Sequence, residues 1–468
     1  MNRPIVRLYG LVVVLFALLV AFTSRWTIFE ASSLRENKLN ARKLLEQERI
    51  PRGPIVARDG TVLARSTRRA EGKYARSYPT GSLFASPLGY YDTILGSTGL
   101  EKYRERDLEG ETGSDLQSIL DQLQGKTRKG DKVVTTLDPR AQRVAYEALA
   151  GHRGAVVALE PRSGAVTVMV SSPTFDPNSL RHEPAGASFV NRATQFGYPS
   201  GSAFKVVTAT AAIDTGAYTP ESTVEGKSGI LVSGVPLAND NDASYGSITL
   251  TKALALSVNT VWAQVAEHLG KATLARYMER FGFDRKPQLD YPAGGMEASG
   301  EYLGSRLIPP TSRFVDLGRM GIGQDKLHIT ALQMAEVAAT VANRGRLMAP
   351  HMTAHVVNAE GQTVTRVQPR VQAQVMKPAT AAAVTSMMEA VVNEGTGVSA
   401  QIPGVQVAGK TGTAETQIGT AINNVWFIAF APAADPRVAI AVTLQGVPGQ
   451  GAAFAAPVAK TVIESLLR

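Results

Sequence analysis

The sequence predicts an α+β protein: a three-layer α/β/α domain whose antiparallel sheet is covered by helices, behind an N-terminal apolar segment and a small turn-rich region. Two apolar strand pairs predict the sheet, 155–159 with 166–170 near the start of the domain and 425–430 with 438–444 near its end. The stretch between them carries mostly helical patterns, and strands at both ends enclosing helices form one covered sheet. A third observation is bulk: 468 residues at 44% hydrophobic and 19% charged content can bury one large core and a smaller second one. The 43 glycines and 25 prolines follow no period, which excludes a fibrous or low-complexity chain.

The elements follow in order. Residues 8–22 are apolar apart from Tyr9 and Gly10, and Arg3 and Arg7 precede them. Ala21-Phe22-Thr23 makes a poor cleavage site and Trp26 lies at interfacial depth, so 1–25 is expected to be a cytoplasmic tip and single uncleaved transmembrane anchor. Everything after it is expected outside the cytoplasmic membrane, although Arg25, Arg35 and Lys38 reduce the charge asymmetry. Residues 31–48 contain no glycine or proline and suit a helical stalk ended by Pro51. Short strands and turns from 52 to 131, including Arg58-Asp59-Gly60 between Ile55-Val56 and Val62-Leu63, read as a pedestal; stalk and pedestal together occupy 26–130. The main domain, 131–468, opens on an apolar run at 132–137 and a helix capped by Asp138-Pro139 that runs to about Ala150. Pro161-Arg162-Ser163-Gly164 suits a hairpin turn, and 458–467 has helical spacing.

Three motifs carry chemistry. Pro199-Ser200-Gly201-Ser202-Ala203-Phe204-Lys205 breaks the chain before a helix, placing Ser202 at its N-terminus, where free N–H groups can support an oxyanion. Lys205 lies three residues on and shares that face, so a neutral amine there could take the serine proton. Ser257-Val258-Asn259 follows a helical segment at 250–256 and supplies a hydroxyl and an amide. Lys410-Thr411-Gly412-Thr413 follows an apparent strand at 405–409; its glycine allows close backbone approach, and its lysine and hydroxyls suit a carboxylate. Each match alone is also what a solvated helix face, a polar helix end or a strand-end turn would give. Together a nucleophile, a base, a hydroxyl relay and an anion site are the parts of acyl transfer.

S-x-x-K, S-x-N and K-T-G in this order resemble the set shared by penicillin-binding proteins and class A β-lactamases. The chain resembles the class B penicillin-binding proteins over nearly its whole length. The likeness extends to Arg52-Gly53-Pro54-Ile55-Val56-Ala57-Arg58-Asp59-Gly60, Gly99-Leu100-Glu101-Lys102-Tyr103, Leu108-Glu109-Gly110, the 160–164 and 172–178 stretches, and Gly321-Ile322-Gly323-Gln324. The short pedestal is most similar to the penicillin-binding protein A group of actinobacteria. The resemblance implies a peptidoglycan D,D-transpeptidase with catalytic Ser202, Lys205 and Ser257, and substrate-binding Asn259, Lys410, Thr411, Gly412 and Thr413. It implies an oxyanion hole from the N–H groups of Ser202 and Thr413. Its implied partners are D-Ala–D-Ala stem peptides, β-lactams that acylate the same serine, and a SEDS-family glycan polymerase, since the segment before Lys132 holds no glycosyltransferase module.

Other classes fit less well. A net charge of +9 is scattered with no compact basic run, so an anionic surface is expected and no nucleic acid. With no cysteine, thiol nucleophiles and cysteine metal sites are excluded. His351 and His355 could share a helix face, but no H-E-x-x-H pattern accompanies them; neither metal nor cofactor is expected. Ser202 lacks the glycine pattern of G-x-S-x-G hydrolases. Valine replaces the aspartate of the β-lactamase second motif, and no E-x-x-L-N element precedes Lys410. A D,D-carboxypeptidase or β-lactamase, and a β-lactam or muropeptide sensor or non-catalytic wall-synthesis scaffold, remain the alternatives.

Overall fold

The computed structural model describes residues 3–25, 48–111, 128–149, 151–182, 186–415 and 422–468; the expected stalk falls almost wholly outside them. The chain forms two compact units, 1–51 with 67–75, and 52–66 with 76–468. The first contains the 22-residue helix Arg3–Ser24, longer at both ends than the apolar run that predicted it. Its most apolar 18-residue window has a mean hydropathy of 2.6 and buries no side chain against the protein. At 1.5 Å per residue it is about 33 Å long, enough to cross the hydrocarbon core of a bilayer.

The second unit is built on the expected sheet. Five antiparallel strands lie in the order Ala408–Glu415, Ile422–Ala431, Val438–Pro448, Arg153–Leu159, Val166–Ser172. Their side chains alternate between two cores. Val157, Trp426, Ile428 and Ala441 face the helices Lys205–Asp214, Asn259–Leu269 and Ala331–Ala342. Val156, Phe427, Ala429 and Val442 face Pro139–Ala148 and Gly451–Leu467 on the other side. Both faces are dry, which is why these strands read as continuous apolar runs. Each fully buried aliphatic side chain stabilises this arrangement by about 1.5–3 kcal/mol. The first helix is capped as expected: the Asp138 carboxylate accepts from the Ala141 N–H at 2.9 Å.

A second sheet lies beside this domain. It runs Thr363–Arg366, Thr353–Val357, Lys132–Thr135, Ile55–Val56 and the 62–66 part of Val62–Arg68. Strands from the pedestal, the start of the main domain and a point well along it are thus paired edge to edge, Lys132–Thr135 parallel to Ile55–Val56 and antiparallel to Thr353–Val357. The segment carrying His351 and His355 is therefore extended. Two residues four apart on it do not stack one turn above each other, and the metal-binding geometry considered for them does not arise. Asn178 ties the two regions further, exchanging hydrogen bonds of 2.9 Å with the backbone N–H and carbonyl of Tyr78.

Two separated pedestal stretches meet in a buried ion network. Arg52 Nη1 donates to Glu109 Oε1 at 2.6 Å and its Nη2 to Glu101 Oε2 at 3.2 Å, while Arg76 Nε donates to Glu101 Oε1 at 2.6 Å. Tyr78 OH adds a bond to the same carboxylate at 3.2 Å. Glu101 is fully buried, so its removal would leave the buried Arg76 guanidinium without its carboxylate and Arg52 with Glu109 alone. Glu101→Ala is expected to lower stability by about 3–5 kcal/mol, measured by chemical denaturation of the detergent-solubilised chain. A loss of under about 1 kcal/mol would show the network to be solvated.

Candidate active site

Ser202 does not begin an α-helix. It sits inside the 3-10 turn Gly201–Phe204, and Lys205 opens the α-helix Lys205–Asp214 behind it. The tighter turn follows from Gly201, whose φ of +51° is costly for other residues and starts the chain on this path. The turn is pressed against the strand Ala408–Glu415. A methyl at position 412 would collide with the carbonyl oxygen of Ser200, and one at 201 with that of Thr413. Trp426 Nε1 donates to the Pro199 carbonyl at 3.0 Å and fixes the entry to the turn. Gly323 supports it from the other side, its carbonyl accepting from the Gly201 N–H at 2.9 Å.

The Lys410-Thr411-Gly412-Thr413 motif lies within its strand, not beyond its end. The sequence pattern stopped at Gly409 because Gly409 and Gly412 lack the side chains that signal a strand, but both positions face close neighbours that leave no room for one.

Ser257 occupies the short link between the helices Leu250–Ala255 and Asn259–Leu269. Its φ of +60° is left-handed, a conformation costing a non-glycine residue roughly 1–2 kcal/mol. This bend presents both its carbonyl and its hydroxyl to the lysines. Lys205 Nζ donates to Ser257 O at 2.7 Å and to Asn259 Oδ1 at 2.7 Å, and lies 3.3 Å from Ser257 Oγ. Lys410 Nζ donates to the same Oγ at 2.9 Å and to the Thr411 carbonyl at 3.1 Å. Both lysines are fully buried. Burial pushes the Lys205 amine well below the ordinary lysine range, and the neighbouring Lys410 charge pushes it the same way. Burial alone takes Lys410 down to about 7.

Ser202, Ser257, Asn259, Thr411 and Thr413 all line one open cleft of about 460 Å³ above this pair. The structure thus gathers every candidate residue from the three motifs. No hydrogen bond joins Ser202 to Lys205: Ser202 Oγ has no partner among the described residues, and Lys205 is engaged by Ser257 and Asn259.

Sequence reasoning missed several cleft residues. Thr396 shares a 2.6 Å hydrogen bond with Thr411 Oγ1 and orients it. Asn239 Oδ1 accepts from the Thr260 N–H at 2.9 Å and holds the start of the Asn259–Leu269 helix. Gln324, Asp240 and Gln450 also line the walls, and only Gln324 lay in a stretch the sequence had singled out. Among the described residues no group of three or more acidic or histidine side chains could hold a metal ion.

This fold and site define a class. A family profile described as the penicillin binding protein transpeptidase domain matches residues 154–464, and one described as the penicillin binding protein A dimerisation domain matches 52–133. The chain belongs to the penicillin-binding protein transpeptidase family. Within that family it resembles penicillin-binding protein A, as its pedestal had implied. It is 33% identical over 501 residues to the peptidoglycan D,D-transpeptidase PbpA of Mycolicibacterium smegmatis, covering 100% of this chain and 99% of that one. Identity to PbpA of Mycobacterium tuberculosis is 32% over 505 residues, with the same coverage. The imipenem acyl-enzyme complex of penicillin-binding protein A from M. tuberculosis superposes with a TM-score of 0.79 at 31% identity, over 90% of this chain and 100% of that one.

The close approach at Gly412 yields a sharp expectation. Gly412→Ala should push the strand off the Ser202 turn and lower the second-order rate of acylation by a fluorescent penicillin roughly 100-fold, the usual effect of an ångström-scale misplacement. A rate within threefold of wild type would show that the turn yields without consequence.

Proposed function

We propose that this chain is a membrane-anchored serine D,D-transpeptidase that cross-links peptidoglycan stem peptides through an acyl-enzyme and is acylated by β-lactams at Ser202. The observation that carries this reading is the buried Lys205–Ser257–Lys410 chain beneath a cleft that also exposes Ser202. The family membership and the acyl-enzyme complex of a relative matched over 90% of this chain support it.

The residues divide the work by what each can donate or accept. A neutral Lys205 has two N–H donors and one lone pair. Ser257 O and Asn259 Oδ1 take the two donors, which leaves the lone pair for a proton. Ser202 attacks the carbonyl of the penultimate D-alanine, its proton passes to Lys205, and the N–H groups of Ser202 and Thr413 hold the oxyanion. The C–N bond breaks as the leaving D-alanine nitrogen takes a proton relayed through Ser257. An amine of a second stem peptide then attacks the ester and restores Ser202. Lys410, Thr411 and Thr413 bind the terminal carboxylate, Asn259 contacts the donor backbone, and Gly412 lets the strand close on the turn.

In the proposed organisation, 1–25 is the cytoplasmic tip and anchor, 26–130 stalk and pedestal, and 131–468 the transpeptidase domain outside the membrane. A SEDS-family glycan polymerase would supply the strands to be cross-linked.

Mass spectrometry of the chain incubated with penicillin G is expected to give a stable adduct on the Ser202 peptide that Ser202→Ala abolishes. Intact penicillin and no adduct would overturn the assignment, and rapid turnover would indicate a β-lactamase. The pH dependence has a definite sign. Acylation needs neutral Lys205, whose pKa burial and the Lys410 charge push well below the ordinary lysine range, and charged Lys410, which loses its proton as pH rises through about 7. The second-order acylation rate should therefore decline above neutrality, and Lys410→Arg, charged throughout, should remove that decline while lowering the rate overall. A descending limb of the same midpoint in Lys410→Arg would assign it to another group.

A further inference from the structure

The strand Ala408–Glu415 ends the five-stranded sheet, so one of its backbone edges is unpaired and open to an extended ligand. Side chains two residues apart share a face, and Thr411, Thr413 and Glu415 all line the cleft while Ala414 between them is buried. With the donor carboxylate at Lys410 and Thr411 and the oxyanion at the Thr413 N–H, the earlier residues of the donor can run only toward Glu415. Two residues of strand advance about 6.6 Å, one residue beyond the step that carries the ligand back from its scissile carbonyl to the residue before its two D-alanines, so that residue reaches Glu415 only with a long side chain directed along the edge.

Charge on the cleft walls is one-sided: among the described residues that line them, two are carboxylates, Asp240 and Glu415, and none is a lysine or arginine. Asp240 is engaged, its Oδ2 accepting from Gln450 Nε2 at 3.0 Å. Glu415 makes no hydrogen bond or ion pair with any described residue. A peptide strand laid along this edge meets, one residue past its third residue from the C-terminus, a carboxylate that has no partner among the described residues.

We propose that Glu415 is a specificity-determining residue for the donor: its carboxylate receives the side-chain ammonium of the diamino residue that precedes the D-Ala–D-Ala pair. This rests on the transpeptidase reading above and extends it to a substrate feature. The pair forms at an exposed position, so its effect on selection is modest and sensitive to salt.

The test compares two probes with the full-length chain in detergent: Nα-acetyl-L-lysyl-D-alanyl-D-alanine and its Nα,Nε-diacetyl counterpart, with a D-amino acid as acceptor and released D-alanine as the readout. Titration with a fluorescent penicillin normalises each preparation to its acylatable sites. Wild type is expected to favour the free ammonium about fivefold in kcat/KM. Glu415→Gln should bring the ratio near one, Glu415→Lys should invert it, and about 0.5 M salt should compress it in wild type. A wild-type ratio near one, or a preference that survives Glu415→Gln, overturns the role of Glu415 while penicillin labelling leaves the transpeptidase reading standing. Absence of both labelling and D-alanine release in wild type overturns both.

Discussion

Two buried lysines sharing one serine hydroxyl set the terms for the rest of this structure. An ammonium removed from water is costly unless its protons are bonded or its charge is given up. Here both routes are used. Lys205 donates to Ser257 and Asn259 and has its pKa driven down, while Lys410 keeps enough affinity for its proton to sit near the neutral range. Several structural features serve to keep these acceptors in place. The left-handed bend at Ser257 turns its carbonyl inward, Asn239 holds the helix that begins at Asn259, and the motif strand delivers Lys410 from the opposite wall.

That arrangement works only if the turn bearing Ser202 and the strand bearing Lys410 touch backbone to backbone. Gly201 and Gly412 make the contact possible from the two sides, and Gly323 braces the turn behind. The sheet makes it rigid, since both faces of Ala408–Glu415 and its neighbours are packed between helices. The same strand is the sheet edge, so the element that fixes the lysine also offers unpaired backbone to a peptide. Rigidity and access come from one position in the topology.

The pedestal is held by different physics. Its small core is shared with Val133, Leu137 and Val356 of the main domain, and it closes around Arg52, Arg76, Glu101 and Glu109, with Ile55–Val56 paired to Lys132–Thr135. A carboxylate bonded by two guanidiniums and a tyrosine hydroxyl satisfies charges that a small core could not bury alone. Residues far apart in sequence there, at 52, 76, 101 and 109, have no shared pattern a reader could see beforehand. Glu101 and Glu109 stood out by resemblance; Arg76 did not.

The sequence by itself determined the alternation and apolar runs of the central sheet, the helix cap at Asp138, the long apolar segment at the N-terminus, and the three motifs with their order. These are local: each depends on periodicity, a turn residue or a spacing of three. Only the tertiary structure decided which hydrogen bonds the motif residues make. Lys205 bonds Ser257 and Asn259 in preference to Ser202, Thr396 orients Thr411, and Asn239 supports the second motif across the cleft. The edge position of the motif strand, and with it the place of Glu415 on the cleft wall, were equally invisible, because strand order is a property of the assembled sheet. Long-range partners are set by which surfaces meet once the cores close, and no window of sequence contains both sides of such a contact.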